Sequence, residues 1–417
     1  MNIILFSVPF FFLLISFELL AEKLRGTDYY RVNDALTSLA TGIINQLVSV
    51  SMRLIPFTFY SWVWYEFAVF DLGDSWIVWV LAFVLYDFCY YWNHRMGHEV
   101  NLLWAAHVVH HSSEEYNLTT ALRQTGTGLF SFIFYLPIAL LGIDPLIVIS
   151  VGAINLVYQF WVHTRHVGKL GWFDFVFVSP SNHRAHHAQN SVYIDKNYGG
   201  VFIVWDRIFG TFQEELDTDP VIFGITGAVQ SWNPLWVNAQ VYAQLAHDAW
   251  FARSWWDKLT IWFRRTGWRP SDVEQRFPLK KVDLTAFQKF DLPITAILKG
   301  YSILQYVLVA TLALYFSMQV GDIMAADRLV IVALVIIGLF GIGSILEGKH
   351  YAGVFEWLRN GLVLVFALKL PAPLMYWLTT VTFISLPLLL VGRIQHDRFI
   401  ASQQASELSN ITDSPQS

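Results

Sequence analysis

The chain has 417 residues, of which 55% are hydrophobic and only 14% are charged, and its formal net charge is −5. Soluble domains carry about 25% charged residues, so this composition disfavours a large soluble protein, and the net charge excludes the basic surface of nucleic-acid-binding proteins. Cys89 is the single cysteine. The chain therefore cannot form an internal disulfide, and a metal site has to use histidine and carboxylate ligands.

Apolar segments recur along the chain, and crossing a bilayer takes about 20 such residues. The first, 3–20, is expected to be an anchor instead of a cleaved signal peptide, because it lacks a basic front and a small-residue cleavage site. Together the apolar segments predict an all-α integral membrane protein, a bundle of about eight or nine helical segments. They are 3–20, 38–60, 75–92, 126–162 as one hairpin, 299–318, 329–346 and a pair within 354–392.

The region 163–298 has no long apolar run and is expected to stay on one side of the membrane. Within it, 250–281 mixes Trp with Arg and Lys. Trp favours the membrane interface and basic residues favour the cytoplasmic side, so we predict amphipathic helices in the headgroup layer, with a soluble lid domain as the alternative. Lys23, Arg25 and Arg31, which follow the first segment, also favour a cytoplasmic face.

Histidines are concentrated in one part of the chain. Ten of the 13 lie between His94 and His187, which is less than a quarter of the sequence. Residues i and i+4 share a helix face, so an HxxxH or HxxHH spacing can aim two imidazoles at one ion. One such motif is weak evidence, whereas several in one chain predict a metal site. The motifs are HRMGH (94–98), HVVHH (107–111), HTRH (163–166) and HRAHH (183–187).

The number of histidines predicts two metal ions, because one ion uses about three to five protein ligands. Imidazole suits iron, zinc, copper and nickel, so ligand type alone does not select the metal. A closed structural zinc site fits poorly, since it has four ligands and often uses thiolates. Two irons with open positions would fit dioxygen activation, although the spacing alone does not establish them.

With these motifs, the chain resembles the fatty acid hydroxylase and sterol desaturase superfamily of membrane di-iron oxygenases. The resembling stretches are 93–125, 158–171 and 179–212. Within that superfamily the closer resemblance is to the monooxygenases that cleave ether lipids of the alkylglycerol type. The resemblance covers most of 75–215, and the apolar C-terminal third agrees in layout without a matching motif.

The resemblance implies which residues serve the site. Glu99 falls where the animal enzymes also have an acid and is expected to orient a ligand through a hydrogen bond, an ordinary surface acid being the alternative. Asn182 replaces a histidine that relatives often have, so it is not expected to be a ligand. His166 is expected to be incidental. The implied iron ligands are His94, His98, His107, His110, His111, His163, His183, His186 and His187.

The resemblance also implies a reaction and a layout. An oxygen-dependent monooxygenase would hydroxylate a lipid C–H bond next to an ether oxygen, and the product would collapse to a fatty aldehyde and a glycerol derivative. The implied cofactors are two iron ions, and the reductant is tetrahydrobiopterin or another electron donor, with no pterin site identified in the sequence. We expect the membrane to be the bacterial inner membrane or the endoplasmic reticulum, with the active site on the cytoplasmic side.

The expected regions follow from the spans and the motifs. The C-terminal third contains the ionisable residues Glu347, Glu356 and Arg359. Charges inside a membrane are costly, so the last two predict either a structural ion pair or part of a cofactor pocket. The five regions are N-terminal membrane helices (1–70), a fatty acid hydroxylase-type di-iron domain (71–215), an interfacial or cytoplasmic segment (216–298), C-terminal membrane helices (299–392) and a polar tail (393–417), the part from 402 expected to be disordered.

Two alternative functions stay open. The first keeps the chemistry and changes the substrate, giving a sterol or fatty acyl hydroxylase or desaturase of the same superfamily. The second is a histidine-rich metal transporter or sensor. A transporter should place its ligands mid-bilayer on several spans, whereas these motifs lie at the ends of apolar segments and between them.

Overall fold

The computed structural model describes residues 3–52 and 54–412, with side chains for 7–52, 54–128 and 130–403. Within that part of the chain there are α-helices, short 3₁₀ turns and three isolated β-bridges, and no β-strand. The predicted all-α class is confirmed. The chain forms two compact units, Met1–Gln230 with Trp236–Lys289 and Ser231–Leu235 with Phe290–Ser417.

The helices as far as Lys289 range from 4 to 24 residues, and 3₁₀ turns span Leu129–Tyr135, Ile261–Phe263 and Leu284–Ala286. The α-helices of this part are α1 (Ile3–Arg25), α2 (Val32–Met52), α3 (Leu54–Phe67), α4 (Trp76–Glu99), α5 (Asn101–His111), α6 (Leu118–Ala121), α7 (Leu136–Leu140), α8 (Pro145–Trp161), α9 (Phe173–Val176), α10 (Pro180–His186), α11 (Val204–Phe209), α12 (Pro234–Phe251), α13 (Trp255–Thr260) and α14 (Ser271–Arg276).

The predicted apolar segments of the first unit correspond to helices, with two differences. Helices α1 and α4 cover 3–20 and 75–92, as expected. The segment 38–60 is divided between α2 and α3, and Arg53 between them lies outside the described residues. The predicted hairpin 126–162 has a short first arm, made of a 3₁₀ turn and α7, and a long second arm, α8.

Helix α8 begins where its sequence predicts a start. The Asp144 side chain accepts a hydrogen bond from the Leu146 amide at 2.7 Å, and Pro145 occupies the first helical position. Its apolar face is buried in a core that α3, α4 and α7 also line. Burial of such side chains is the main force that holds short helices in place.

The region 163–298 contains no candidate membrane span among its described residues, as predicted. Helix α12 buries Leu245 against Ala105 of α5 and Ile261. On the next helix, α13, the side chains of Trp255 and Trp256 are instead 76% and 67% exposed. These exposed rings lie within the stretch 250–281, whose amphipathic, interfacial character stays a prediction.

The second unit is a bundle of four long helices: α15 (Ala296–Gln319), α16 (Ala325–Leu346), α17 (Ala352–Ala367) and α18 (Ala372–Thr412). Leu298, Tyr301, Ile345, Ala352 and Leu389 form a core cluster in it. Helix α18 continues to Thr412, so 402–412 is helical where the sequence predicted disorder. Residues 413–417 of the tail lie outside the described residues.

Among the described residues, four helices are long and apolar enough to cross a membrane. They are Val32–Met52, Ala296–Gln319, Ala325–Leu346 and Ala372–Gln403. These spans support the predicted multi-pass membrane protein. Each unit contributes to them, since the first span belongs to the first unit and the other three to the second.

Candidate metal centre

Three short stretches of the first unit supply most of the histidines. Helix α4 ends and α5 begins at Val100, whose extended backbone reverses the chain and brings the two helices side by side. Ser179 is the N-cap of helix α10, and its side chain accepts a hydrogen bond from the Asn182 amide. Pro180 occupies the first helical position. Residue His163 follows the end of α8.

The nine predicted ligands fall into two groups, and within each group the possible ligand atoms lie within 4.8 Å of one another. We call them the first and the second cluster. The first cluster consists of His94, His98, His107, His111 and His186, and the second of His110, His163, His183 and His187. Each HxxHH motif is therefore divided between the clusters.

The Nε2 atoms converge inside each cluster at similar distances. In the first cluster, the Nε2 of His107 lies 2.9 Å from that of His94 and 3.1 Å from that of His111. In the second, the Nε2 of His183 lies 3.1 Å from that of His163 and 3.2 Å from that of His187. Imidazole nitrogens bound about 2.0–2.1 Å from one ion have similar separations when they are adjacent ligands.

Hydrogen bonds show that two of the four converging atoms of the second cluster, the Nε2 atoms of His110 and His163, carry no protons. His110 donates its Nδ1–H to the Arg123 carbonyl at 3.1 Å, and His163 donates its Nδ1–H to the Gln159 carbonyl at 2.8 Å. A carbonyl can only accept, so the Nε2 atom of each neutral ring is a lone pair. The two lone pairs face each other at 3.2 Å. A cation between them satisfies both.

The first cluster has the same arrangement. His94 donates Nδ1–H to the Tyr198 carbonyl and His186 donates Nδ1–H to the Lys196 carbonyl, both at 2.8 Å. The Nε2 of His186 is buried and has no hydrogen-bond partner in the described part of the chain. Burial lowers the pKa of His186 to about 3, so the ring is neutral at physiological pH and its lone pair is available to a metal.

The two clusters are neighbours. The rings of His111 and His187, one from each cluster, stack with centroids 4.3 Å apart and planes inclined by 22°. The rings of His107 and His110 also lie within 5.7 Å of each other. Two ions held by the two clusters would therefore sit side by side and could act on one small molecule.

The structure gives Glu99 a different partner from the one predicted. Its carboxylate accepts a hydrogen bond from Arg95 at 2.8 Å, and among the described residues no histidine donates to it. The acid that faces the first cluster is Asp195, with Oδ1 3.9 Å from the Nδ1 of His98. Among the described residues no imidazole donates a hydrogen bond to Glu99, and backbone carbonyls accept from the Nδ1–H groups of four of the nine rings instead.

Neither His166 nor Asn182 belongs to a cluster. His166 lies against Arg25, whose guanidinium donates to the His166 carbonyl at 3.0 Å, and against the Tyr29 ring. Asn182 donates to the carbonyls of Asp174 and Phe177. The roles expected for His166 and Asn182 stay predictions.

The polar residues Asn117 and Arg123, which follow the HVVHH motif, form hydrogen bonds that stabilise the fold. Asn117 caps α6 by accepting from the Thr119 amide at 3.0 Å, and it donates to the Tyr29 carbonyl at 2.7 Å. The fully buried Arg123 donates to the Ser38 hydroxyl at 3.1 Å and to Ser112 at 3.0 Å. Through these contacts Arg123 places its own carbonyl, which orients His110.

Comparison with known proteins agrees with this centre. The fatty acid hydroxylase family model matches residues 79–211, which contain both clusters. Alkylglycerol monooxygenase of Homo sapiens is 36% identical to the chain over 360 residues, which are 85% of this chain and 80% of the human protein. The chain belongs to the alkylglycerol monooxygenase family.

Other relatives support the same assignment. The alkylglycerol monooxygenase of Danio rerio is 37% identical over 366 residues, which cover 86% of this chain and 81% of that protein. Ornithine lipid hydroxylase OlsE of Rhizobium tropici is 32% identical over 158 residues, which cover 36% of this chain and 46% of that protein. No solved structure matches the chain. The resemblance inferred from the histidine motifs is confirmed.

Proposed function

We propose that this member of the alkylglycerol monooxygenase family is a membrane di-iron monooxygenase that cleaves the O-alkyl ether bond of alkylglycerol lipids. The observation that carries the proposal is the pair of adjacent histidine clusters, whose facing lone pairs need cations. In balance, the ether CH₂ group, one O₂, two electrons and two protons give a hemiacetal and one water. The hemiacetal then releases a fatty aldehyde and a glycerol hydroxyl.

The ligands we propose are the nine histidines of the two clusters. Imidazole suits several metals, and membership of the hydroxylase family favours iron, which would supply oxygen activation for hydroxylation of the substrate C–H bond when it is bound. The chain's own contribution is to fix each ring. Carbonyls hold the Nδ1–H groups of His94, His110, His163 and His186, so that their Nε2 lone pairs point inward.

For the reductant we propose tetrahydrobiopterin or another small electron donor, because the hydroxylation consumes two electrons that the histidines cannot supply. Dioxygen is the second substrate. We propose that the clusters face the cytoplasm, in either a bacterial inner membrane or the endoplasmic reticulum. Lys23 and Arg25 at the end of α1 support this orientation, since basic residues beside membrane segments favour the cytoplasmic side.

A second candidate substrate is a lipid acyl chain. The fatty acid hydroxylase model, which matches the histidine region of this chain, and the relative named ornithine lipid hydroxylase of Rhizobium tropici favour it. The same centre would then hydroxylate a fatty acyl C–H bond and leave the ester or amide intact.

The deciding experiment measures aldehyde release from an alkylglycerol by the detergent-extracted protein, with iron and zinc determined on the same sample. Each reaction is run with tetrahydrobiopterin and without it. We expect about two irons per chain and pterin-dependent aldehyde. Two irons with hydroxylated acyl chains and no aldehyde would favour the second candidate, and zinc alone without turnover after iron loading would contradict the oxygenase.

A further inference from the structure

One loop orients two of the five rings in the first cluster. The loop is 195–199, between α10 and α11, and we call it the carbonyl loop. Its Lys196 carbonyl accepts from His186 Nδ1 and its Tyr198 carbonyl accepts from His94 Nδ1, both at 2.8 Å. The position of this loop therefore determines where two ligand lone pairs point.

The backbone of the carbonyl loop is unusual. Asp195 has φ of 59° and Asn197 has φ of 58°, and these left-handed values are uncommon for residues other than glycine. Such a backbone conformation persists when the surroundings hold it. The conformation turns the carbonyls of Lys196 and Tyr198 toward the same cluster, so the surroundings that hold the loop act on the metal ligands.

A buried carboxylate on α11 holds the end of the loop. Asp206 accepts hydrogen bonds from the Tyr198 amide at 2.7 Å, from the Gly199 amide at 2.8 Å and from the Thr211 hydroxyl at 2.7 Å. The peptide units of Tyr198 are thus fixed on both sides, since its amide binds Asp206 and its carbonyl binds His94. Hydrogen bonds therefore connect the Asp206 carboxylate to His94 through the peptide units of Tyr198.

A second buried carboxylate holds the chain just beyond the loop. Asp87 lies on α4, two turns before His94, and is fully buried. It accepts from the amides of Val201 and Phe202 at 2.7 and 3.0 Å, and from the Trp205 indole at 3.0 Å. Helix α4 therefore carries a ligand and, through Asp87, also anchors the segment that orients this ligand.

Two glycines allow the carboxylates to come this close. A Cβ atom on Gly200 would lie 2.8 Å from the Asp87 Oδ1, and one on Gly199 would lie 3.1 Å from the Asp206 Oδ2 and 2.6 Å from the Phe202 carbonyl oxygen. Side chains at these positions would displace the loop. The sequence NYGG together with the aspartates of α4 and α11 forms one unit.

Neither carboxylate has a cationic partner. Among the ion pairs of the described residues, none involves Asp87 or Asp206. Burial raises the pKa of Asp206 to about 6, so the group is still largely ionised at pH 7 and accepts all three hydrogen bonds. Burying an unpaired charge is costly, and the groups it binds here are those that set the ligand geometry.

We propose that Asp206 and Asp87 are positioning residues of the first cluster, which hold the carbonyl loop against His94 and His186 and thereby keep their Nε2 atoms aimed at the metal. The proposal rests on the proposed function, because it takes the first cluster to be a metal site. The second cluster takes its carbonyls from Arg123 and Gln159, outside the loop. Loss of Asp206 should therefore weaken one ion and spare the other, whereas Asp87 also accepts from Asn155, which in turn accepts from Gln159 on the helix that leads to His163.

The test compares Asp206→Asn with Asp248→Asn in the full-length, iron-loaded protein. Asp248 is a matched control, since it is an equally buried carboxylate of the same unit but pairs with Arg269 and contacts neither cluster. Release of iron to a chelator is followed over time, and Mössbauer spectra of ⁵⁷Fe-loaded protein distinguish the two ions. The labelling of the buried Cys89 by a thiol reagent reports whether the first unit stays folded.

For Asp206→Asn we expect one of the two irons to be released about 10–100-fold faster than in the unaltered protein, with one iron signal altered and Cys89 unreactive. Asp248→Asn should leave both signals unchanged. If Asp206→Asn does not fold, Thr211→Val removes a donor to the same carboxylate and should speed release of the same ion to a smaller extent.

Two results would overturn the inference. Unchanged release of both irons from Asp206→Asn would show that the loop holds its position without the carboxylate. Equal loss of both irons, with reactive Cys89, in Asp206→Asn and Asp248→Asn alike would show a general structural role. Absence of iron from the unaltered protein would instead contradict the proposed function itself.

Discussion

The i, i+3, i+4 spacing of an HxxHH motif serves two ions at once in this structure. His107 and His111 share a helix face and join the first cluster, while His110 points to the second. In HRAHH the division is reversed, since His183 and His187 join the second cluster and His186 the first. Each motif therefore contributes ligands to both clusters, which is why neither motif can be reduced to one site.

This division makes single-histidine variants informative. We expect His186→Ala to remove the ion of the first cluster and His183→Ala that of the second, because each ring belongs to one cluster. Iron content should fall from about two toward one in both, with little turnover left. His107→Ala should behave like His186→Ala. Iron analysis and aldehyde release on the same sample check this.

His166→Ala is the matched control, because His166 comes from the same histidine-rich region but contacts Arg25 and Tyr29 instead of a cluster. It should retain both irons and most of the activity. Loss of one iron in this variant, or normal iron and full turnover in His186→Ala, would show that the ligand assignment is wrong.

Much of the centre could be predicted from the sequence because its candidate ligands are histidine side chains in recognisable motifs. The motifs contain ten histidines, the family resemblance implies nine of them as ligands, and the structure brings those nine together. The orienting groups could not be predicted, because they are backbone carbonyls, which every residue type has. They belong to Lys196, Tyr198, Arg123 and Gln159. This also explains why an acid next to a motif, Glu99, was expected in a role that the backbone performs.

Apolar segments of the sequence predicted the presence of helices better than they predicted where those helices begin and end. The segment 38–60 contained the end of α2 and the beginning of α3, and hydropathy does not mark a break between two apolar helices. The short arm of 126–162 could not be distinguished from a long one, because a 3₁₀ turn of Leu129–Tyr135 has the same composition as a helix. Capping residues were more specific, as Asp144 shows.

Asp144 offers a direct test of that specificity. Its side chain caps α8, the helix that leads to His163. Asp144→Ala should lower the free energy of unfolding by about 1 kcal/mol, while Asp144→Asn, which keeps an accepting oxygen, should cost little. Thermal labelling of Cys89 in the same unit measures the change, and iron content should stay at the unaltered value. Equal destabilisation by both variants would show that the cap hydrogen bond does not matter.

For the molecule as a whole, metal binding and stability of the first unit should be linked. Eight of the nine rings are buried and His107 is partly buried, and nitrogen atoms that converge in this way are poorly satisfied without a cation, so iron binds the folded state and not the unfolded one. Iron at 100 times its dissociation constant would stabilise the fold by about 2.7 kcal/mol. Chelation should therefore lower the temperature at which Cys89 becomes reactive, and iron should restore it. No change on chelation would contradict iron binding by these clusters.

The second unit contains its own buried polar network, which bears on the open interpretation of its charged residues. Arg359 is 1% exposed, and its guanidinium donates to the Glu356 carboxylate at 2.8 Å and also to the Gln305 side chain. Tyr301 donates to Glu356 at 2.5 Å and receives a hydrogen bond from Asn360 at 3.0 Å. The contacts fit a structural ion pair that ties α15 to α17.

If the pair is structural, removing one partner leaves a buried charge without compensation, which costs about 3–5 kcal/mol. Glu356→Gln and Arg359→Met should each lower the thermal unfolding temperature measured by circular dichroism, and the double variant should recover part of the loss because neither charge remains. Iron content per folded chain should not change. Normal stability in Glu356→Gln together with lost aldehyde release would instead show that this carboxylate serves a cofactor or substrate.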